Sequence, residues 1–162
     1  MIRELREEIP DICLRTTLIA GFPGESEEDH EKSLELVDEA EFDRLGVFAY
    51  SQEEDTPAAQ MPGQIPEETK QRRRDELMEL QQEIAFEAAE KMTGRRLKVM
   101  IEGKLAGEDV YAARTYKDAP GVDGYLFINT ARQLMSGDFV EVLVTSSNEY
   151  DLIGEIEDES AQ

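Results

Sequence analysis

Hydrophobic positions along the chain change their spacing near Gly94. Before this residue, most apolar side chains recur every three or four positions, and two short apolar runs separate these segments. After it, apolar and polar residues alternate. Spacing of three to four is typical of helices and alternation is typical of half-buried strands. The pattern therefore predicts an α/β region followed by an all-β region.

The α/β region is predicted to run helix, strand, helix, strand, loop, helix. The predicted helices cover residues 2–9, 26–41 and 67–92, and the predicted strands cover 12–22 and 43–51. The first strand is apolar on both faces, which is typical of a parallel strand covered on both sides. Ser26, with Asp29 three residues later, is the expected N-cap of the second helix. Two parallel strands do not make a stable covered sheet, so this region is expected to be part of a larger domain.

The alternating region predicts five short strands, at residues 95–103, 109–116, 124–129, 138–147 and 150–157. Five antiparallel strands in about 60 residues favour a small closed barrel of the OB type. The predicted domains are the α/β region (1–66), a linking helix (67–93), the barrel (94–157) and a short tail (158–162).

Charge narrows the choice of partners. The 162 residues carry a formal charge of −21, and residues 94–162 alone have 13 acidic and 7 basic side chains, a charge of −6. Neither region has the basic surface that nucleic acid binding requires, and both favour a basic partner. No apolar run approaches the roughly 18 residues of a membrane span, and the N-terminus has no signal-peptide pattern, so we expect no membrane partner and a cytoplasmic location.

The segment GFPGE (21–25) is the first candidate for chemistry. It follows the first strand, where the carboxyl end of a parallel strand often meets a ligand, and its glycines allow close backbone approach. A tight strand-to-helix connection without a ligand explains the same spacing, and spacing alone favours that simpler reading.

Other polar groups have simpler interpretations. Glu53 and Glu54 are expected to lie in a solvated loop rather than to act as an acid–base pair. The basic cluster 70–74 is expected to form a solvated helix face that pairs with nearby acids. His30 is expected at the surface rather than as a ligand. The single cysteine, Cys13, excludes an intramolecular disulfide and a cysteine-based metal site, and is expected to be buried.

Two stretches resemble a known family. "PDICLRTTLIAGFPGESEEDH" (10–30) and "FDRLGVFAYSQEEDTPAA" (42–59), followed by a long helix and a five-stranded barrel, resemble the radical S-adenosylmethionine methylthiotransferases of the MiaB/RimO family. The resemblance covers nearly the whole chain. It implies that the α/β region is the C-terminal portion of a radical-SAM partial (βα)6 barrel and that the five strands form a TRAM domain.

Within this family the loop "YSQEEDTPA" (50–58) is closer to the RimO branch, although Asp55 stands where that pattern has glycine. The resemblance then implies the C-terminal region of a ribosomal protein aspartate methylthiotransferase, whose TRAM barrel binds a basic small-subunit ribosomal protein. The acidic barrel agrees with this branch. The disfavoured alternative is the tRNA-binding TRAM region of a MiaB-type tRNA methylthiotransferase.

The resemblance also implies site residues. The full-length family uses S-adenosylmethionine and two 4Fe-4S clusters, and this chain would supply one wall of the S-adenosylmethionine pocket. The cluster cysteines have no counterpart here, so we expect no catalytic residue, no bound cofactor and no activity of this chain alone. The implied cofactor-binding residues are Arg15, Thr17, Ile19, Gly21, Phe22, Pro23, Gly24, Glu25, Phe48 and Tyr50.

The candidate contacts with the substrate protein are Asp109, Tyr116, Asp118, Asp123 and Tyr125. Acidic side chains suit a basic partner and tyrosines are frequent interface anchors. Ordinary loop solvation is the competing interpretation for each of them. Exposed strand edges of the incomplete sheet also suggest that the chain self-associates.

Overall fold

A computed structural model describes residues 1–156 of the chain. The chain forms two compact units, and the division falls within the long third helix, between Ala85 and Phe86. Residue 157 and the predicted tail 158–162 lie outside the described residues. Among residues 1–156, no helix is both long and apolar enough to cross a membrane.

The first unit contains the predicted α/β elements. Its sheet has two parallel strands, β1 and β2, and the helices follow the order predicted from sequence. The elements are α1 (Ile2–Glu8), β1 (Arg15–Ala20), α2 (Glu27–Ala40), β2 (Arg44–Ala49), a short 3-10 helix (Ala58–Gln60) and α3 (Glu67–Glu90).

The start of α2 is fixed by the predicted cap. The Ser26 hydroxyl accepts a hydrogen bond from the Asp29 amide at 3.1 Å, and the Asp29 carboxylate accepts one from the Ser26 amide at 2.9 Å. This is a complete capping box with aspartate in place of the usual glutamate. It sets the point at which the chain leaves the GFPGE turn and becomes helical.

One face of the two-stranded sheet is covered and the other is open. Ala20 and Val47 point into a core with Val37 of α2 and Leu77 of α3. On the opposite face, Ile19 and Phe48 are 58% and 63% exposed. The expectation that the first strand is covered on both sides was wrong, because α2 and α3 both supply their apolar side chains to the same face.

The second unit contains the barrel. Five strands close on themselves in the order β3-β4-β5-β7-β6. Their bounds are β3 (Arg96–Lys104), β4 (Val110–Arg114), β5 (Leu126–Asn129), β6 (Phe139–Asn148) and β7 (Asp151–Ile156).

The barrel is mixed rather than antiparallel. Four of the five strand pairs are antiparallel, but β5 and β7 pair in parallel, with Phe127 opposite Ile153. The prediction of an all-antiparallel barrel was wrong for a geometric reason. Strand directions cannot alternate all the way round a closed ring with an odd number of members, so one parallel pair is unavoidable.

The interior of the barrel is filled by apolar side chains from all five strands. Tyr111, Ile101 and Leu126 are among its largest buried members, and Met92, just after α3, also packs into it. A closed, filled barrel leaves its outer surface and its loops as the places where a partner can bind.

Candidate functional site

Alternation along β1 places the implied site residues on the open face of the first unit. Arg15, Thr17 and Ile19 share that face, and in the parallel register Thr17 lies opposite Gly46 and Ile19 opposite Phe48. The implied residues of the two strands therefore form one exposed surface. We call it the open face, defined by Arg15, Thr17, Ile19, Gly46 and Phe48.

The GFPGE turn closes on itself at the carboxyl end of β1. The Glu25 carboxylate accepts hydrogen bonds from the amides of Gly21 and Phe22, the latter at 3.1 Å. The Gly24 amide donates to the Gly63 carbonyl at 2.9 Å, and the Glu25 amide donates to the Phe22 carbonyl at 2.9 Å. Gly21 and Gly24 adopt φ of +76° and +88°, which other residues rarely adopt.

Lys70 of α3 lies directly beneath this turn. A Cβ at Gly21 would overlap Lys70 Cγ and lie 2.8 Å from Lys70 Cβ, so only glycine fits there. The Lys70 ammonium donates to the Tyr50 carbonyl at 2.9 Å and pairs with Glu67 at 2.6 Å. Because Gly21 follows β1 and Tyr50 follows β2, one lysine contacts the ends of both strands.

Arg73, one helical turn further along α3, holds Glu25. Its guanidinium donates to the Glu25 carbonyl at 2.9 Å and lies 3.5 Å from the Glu25 carboxylate. It also pairs with Glu27 at 3.0 Å. Arg73 is thus bound to the turn and to the first residue of α2.

The pairing continues through neighbouring side chains into a ring. Arg72 bridges Glu27 and Glu76, each at 2.9 Å. His30 hydrogen bonds to Glu76 at 2.6 Å, and its other ring nitrogen lies 4.0 Å from the Glu25 carboxylate. We call this set the charged ring, which consists of Glu25, Glu27, His30, Arg72, Arg73 and Glu76.

The charged ring lowers the pKa values of two of its carboxyl groups, Glu27 and Glu76. Hydrogen bonds from Arg73 and then Arg72 hold the pKa of the Glu27 carboxyl below its usual value. Burial raises the pKa of Glu76, but hydrogen bonds from Arg72 and His30 outweigh it, so that pKa is also lowered. Both carboxylates therefore stay ionised to a lower pH than free glutamate.

Aromatic side chains lie next to the turn. Phe22 and Tyr50 meet edge to face, with ring centroids 5.3 Å apart. The Phe22 ring is partly exposed, whereas Tyr50 is buried. Further along the same loop, Asp55 adopts φ of +64°, so it keeps the left-handed backbone that a glycine would adopt easily.

In the barrel unit, the implied contact residues lie on its surface and loops. Asp109 is exposed and pairs with Lys104 at 2.8 Å. Asp118 accepts hydrogen bonds from the amide and hydroxyl of Thr115, and Asp123 accepts one from the Ala119 amide at 2.6 Å. These last two carboxylates therefore stabilise the loop between β4 and β5. Tyr116 and Tyr125 are exposed.

Comparison with known proteins finds one matching domain family and several similar enzymes. The TRAM domain family matches residues 93–156. A ribosomal protein uS12 methylthiotransferase RimO from Lachnoclostridium phytofermentans is 62% identical over 157 residues, which is 97% of this chain and 36% of that protein. The chain is therefore similar to one part of the RimO methylthiotransferases. RimO proteins from Desulfitobacterium hafniense and Geobacter sulfurreducens are 51% and 47% identical, over 96% of this chain and 35% of each relative. The chain thus spans about a third of the length of the curated RimO proteins that it matches.

Three residues near the GFPGE turn were misjudged from sequence. His30 is 1% exposed rather than at the surface, and Lys70 and Arg73 are 7% and 4% exposed rather than solvated. Arg72 does pair with acids at the surface, as expected. The missed signal is spacing, since Lys70, Arg73, Leu77 and Gln81 share one buried face of α3.

Two further sequence predictions concern metal binding and the cysteine. Within residues 1–156, no group of three or more His, Cys, Asp or Glu side chains could hold a metal ion. Cys13, expected to be buried, is only half-buried.

Proposed function

We propose that this chain is the part of a ribosomal protein methylthiotransferase that supplies one wall of the S-adenosylmethionine pocket and the barrel that binds the substrate protein. The observation that carries the proposal is the identity of 45–62% to uS12 methylthiotransferases over at least 95% of the chain. A segment that similar is expected to do in its own protein what it does in theirs. We expect that protein in the cytoplasm, where ribosomal proteins are used.

The open face fits the nucleoside part of S-adenosylmethionine. Ile19 and Phe48 offer apolar contact to an adenine ring, and Thr17 offers a hydroxyl between them and Arg15. The GFPGE turn and Tyr50 complete this wall at the carboxyl ends of the strands, where α/β folds bind ligands. When bound, S-adenosylmethionine supplies the radical chemistry of the family. The two strands would form the last part of the radical-SAM barrel.

The two 4Fe-4S clusters do not fit this chain. Such clusters are held by several cysteine thiolates, and the sequence has one cysteine. We therefore place both clusters on the remainder of a full-length protein. We expect the chain alone to have no methylthiotransferase activity, which an assay with S-adenosylmethionine, reductant and substrate protein would check.

The barrel supports binding of a basic protein through its charge. Residues 94–162 have a formal charge of −6, and the outer surface carries exposed acids on β6 and β7, among them Glu141 and Glu155. Exposed Tyr116 and Tyr125 add amphipathic contact area of the kind found at protein interfaces. Of the three aspartates that the family resemblance implies as contacts, Asp109 is the most exposed. Nucleic acid phosphates would be repelled by the same surface.

Binding of the full chain to purified uS12 and to bulk tRNA, at about 150 mM salt, tests this proposal. We expect saturable binding to uS12 and none to tRNA. The charge-reversed variant Glu141→Lys/Glu155→Lys should bind uS12 about tenfold more weakly. The matched control, Glu31→Lys/Glu35→Lys on exposed positions of α2, changes the total charge equally and should bind as the unaltered chain does. An equal loss of uS12 affinity in both variants would refute the proposal. Tight binding of the unaltered chain to tRNA would also refute it and would favour the tRNA branch.

Self-association is a second interaction that the first unit supports. The open face exposes Ile19 and Phe48, and within residues 1–156 no further strand pairs with the edges of the two-stranded sheet. Edges of this kind pair readily with other chains. Sedimentation should show a dimer that forms as concentration rises and weakens in Phe48→Ser. A strictly monomeric chain at high concentration would contradict this.

A further inference from the structure

The GFPGE turn has no free backbone donor to offer a ligand. Pro23 has no N–H, and the four other residues of the turn, Gly21, Phe22, Gly24 and Glu25, all donate within the protein. Two of these donors, the neighbouring amides of Gly21 and Phe22, converge on one carboxylate oxygen of Glu25. That oxygen occupies the position that a bound anion would take.

A position of this kind, if empty, would ordinarily bind a phosphate group. Converging backbone amides before a helix N-terminus form a general anion site, and glycine-rich turns of this kind hold the phosphates of nucleotides. Here the protein's own carboxylate takes that place. The first turn of α2 adds Glu27, Glu28 and Asp29, and Asp29 already caps the helix with Ser26.

We propose that Glu25 is a specificity-determining residue, a built-in anion that fills the amide pocket of the turn and makes this end of the sheet accept nucleosides that carry no phosphate group. The proposal deepens the proposed function and rests on it in one respect, namely that a nucleoside binds at the open face. S-adenosylmethionine is a nucleoside derivative without phosphate, and adenine nucleotides are the competitors that the turn would exclude.

Arg73 is the positioning residue for Glu25. Its buried guanidinium contacts the Glu25 carbonyl and lies 3.5 Å from the carboxylate, so it fixes both ends of the residue. The neighbouring cations are also paired, Lys70 with Glu67 and Arg72 with Glu27 and Glu76. The three cations of α3 next to the turn, Lys70, Arg72 and Arg73, are therefore each paired with a carboxylate.

NMR titration of the whole, 15N-labelled chain with inorganic phosphate tests the proposal directly. In the unaltered chain, phosphate should leave the Gly21 and Phe22 amide signals in place. In Glu25→Ala, the two amides are released, and phosphate should shift both signals and bind at least about tenfold more tightly, the factor that corresponds to one charge-assisted hydrogen bond. The matched control, Glu28→Ala, removes the same charge from an exposed position of α2 and should not gain binding.

Adenosine and AMP separate this proposal from the proposed function. Adenosine should shift the amide signals of Thr17, Ile19 and Phe48, whereas AMP should do so only in Glu25→Ala. Absence of any adenosine response would contradict the pocket wall, while the phosphate titration still decides the role of Glu25. Phosphate binding at Gly21 and Phe22 in the unaltered chain, or no gain in Glu25→Ala, would overturn the proposal.

A measurement on the unaltered chain guards against a variant that fails to fold. If Glu25 fills the amide pocket, the Gly21 and Phe22 amide protons should resonate downfield and move upfield together as the Glu25 carboxyl is protonated. Independent movement of the two amides, or none, would show that the carboxylate does not occupy the pocket.

Discussion

Lys70 packs its aliphatic stem against Gly21, in the space that any side chain at residue 21 would need. The same lysine donates to the carbonyl of Tyr50, so the ends of β1 and β2 are held by one side chain of α3. The candidate site is therefore built by the long helix as much as by the two strands that carry the recognisable motifs.

Gly21→Ala should destabilise the first unit by about 2–5 kcal/mol. The substitution combines a positive φ, costing about 1–2 kcal/mol, with a Cβ that overlaps Lys70, costing about 1–3 kcal/mol. Gly24→Ala is the matched control, because its φ is also positive but its Cβ would meet nothing within 4 Å. Urea unfolding followed by circular dichroism measures both. Equal losses in the two variants would mean that the close approach of Lys70 has no effect on stability.

Lys70→Met should keep the packing against Gly21 but remove the ammonium. We expect a loss of about 1–3 kcal/mol, because the buried Tyr50 carbonyl loses a charged donor. Arg74→Met removes a cation from an exposed pair on the same helix and should change stability by no more than about 0.5 kcal/mol. If Lys70→Met leaves the free energy of unfolding unchanged, only the aliphatic stem of Lys70 contributes to stability.

The charged ring predicts how stability depends on pH. The folded-state pKa values of Glu27 and Glu76 are lowered, so their contribution is present above the usual glutamate pKa of 4.5 and is lost as pH falls through the folded values. The urea concentration at the midpoint of unfolding should therefore fall as the pH is lowered below about 4.5. Arg72→Gln, which removes the bridge between the two acids, should flatten this drop.

Lys32→Gln is the control for the pH experiment. It removes one cation from an exposed pair with Glu28, outside the ring, and should leave the acid-side slope nearly unchanged. An Arg72→Gln profile as steep as that of the unaltered chain would contradict the role of the ring.

Much of this architecture was readable from sequence. The change of hydrophobic spacing near Gly94 gave the two regions, and the Ser26–Asp29 pair marked the start of α2 correctly. Alternation alone puts Arg15, Thr17 and Ile19 on one face. Which face is open depends on where α2 and α3 pack, and the spacing within one strand carries no information on that.

The burial of charged and polar side chains was the main feature that the sequence analysis did not predict. Lys70, Arg73 and His30 are charged or polar, and such residues are buried only when partners from elsewhere in the chain satisfy them. The partner of Arg73, Glu25, is 48 positions away in sequence, and the partner of His30, Glu76, is 46 positions away. The Tyr50 carbonyl that Lys70 binds is 20 positions away. Local pattern therefore suggested a solvated face where tertiary pairing produces a buried one.

Asp55 gives a prediction about the loop after β2. Its φ of +64° is strained for residues other than glycine, although aspartate tolerates it better than most. Asp55→Gly should be neutral or stabilise the first unit by up to about 1 kcal/mol, whereas Asp55→Val should cost about 1–2 kcal/mol. Equal stability of the two variants in urea unfolding would contradict the backbone assignment.

Gly154 gives a prediction about the closure of the barrel. A Cβ there would overlap Val142 Cγ1 and lie 2.9 Å from the Leu143 carbonyl, beside the parallel β5–β7 pair. Gly154→Ala should destabilise the barrel by about 1–3 kcal/mol. Gly103→Ala on β3 meets nothing within 4 Å and should be tolerated. Thermal unfolding followed by NMR signals of the barrel strands compares the two.

We have proposed that the barrel, and not the α/β unit, binds a basic ribosomal protein. Titration of the 15N-labelled whole chain with purified uS12 tests it most directly, because each amide signal reports its own position. We predict that the signals that shift or broaden cluster within residues 94–156, including those near Tyr116, Tyr125 and Glu155, and that bulk tRNA leaves them unchanged. Shifts confined to residues 1–85, or shifts of the barrel signals by tRNA but not by uS12, would contradict the account.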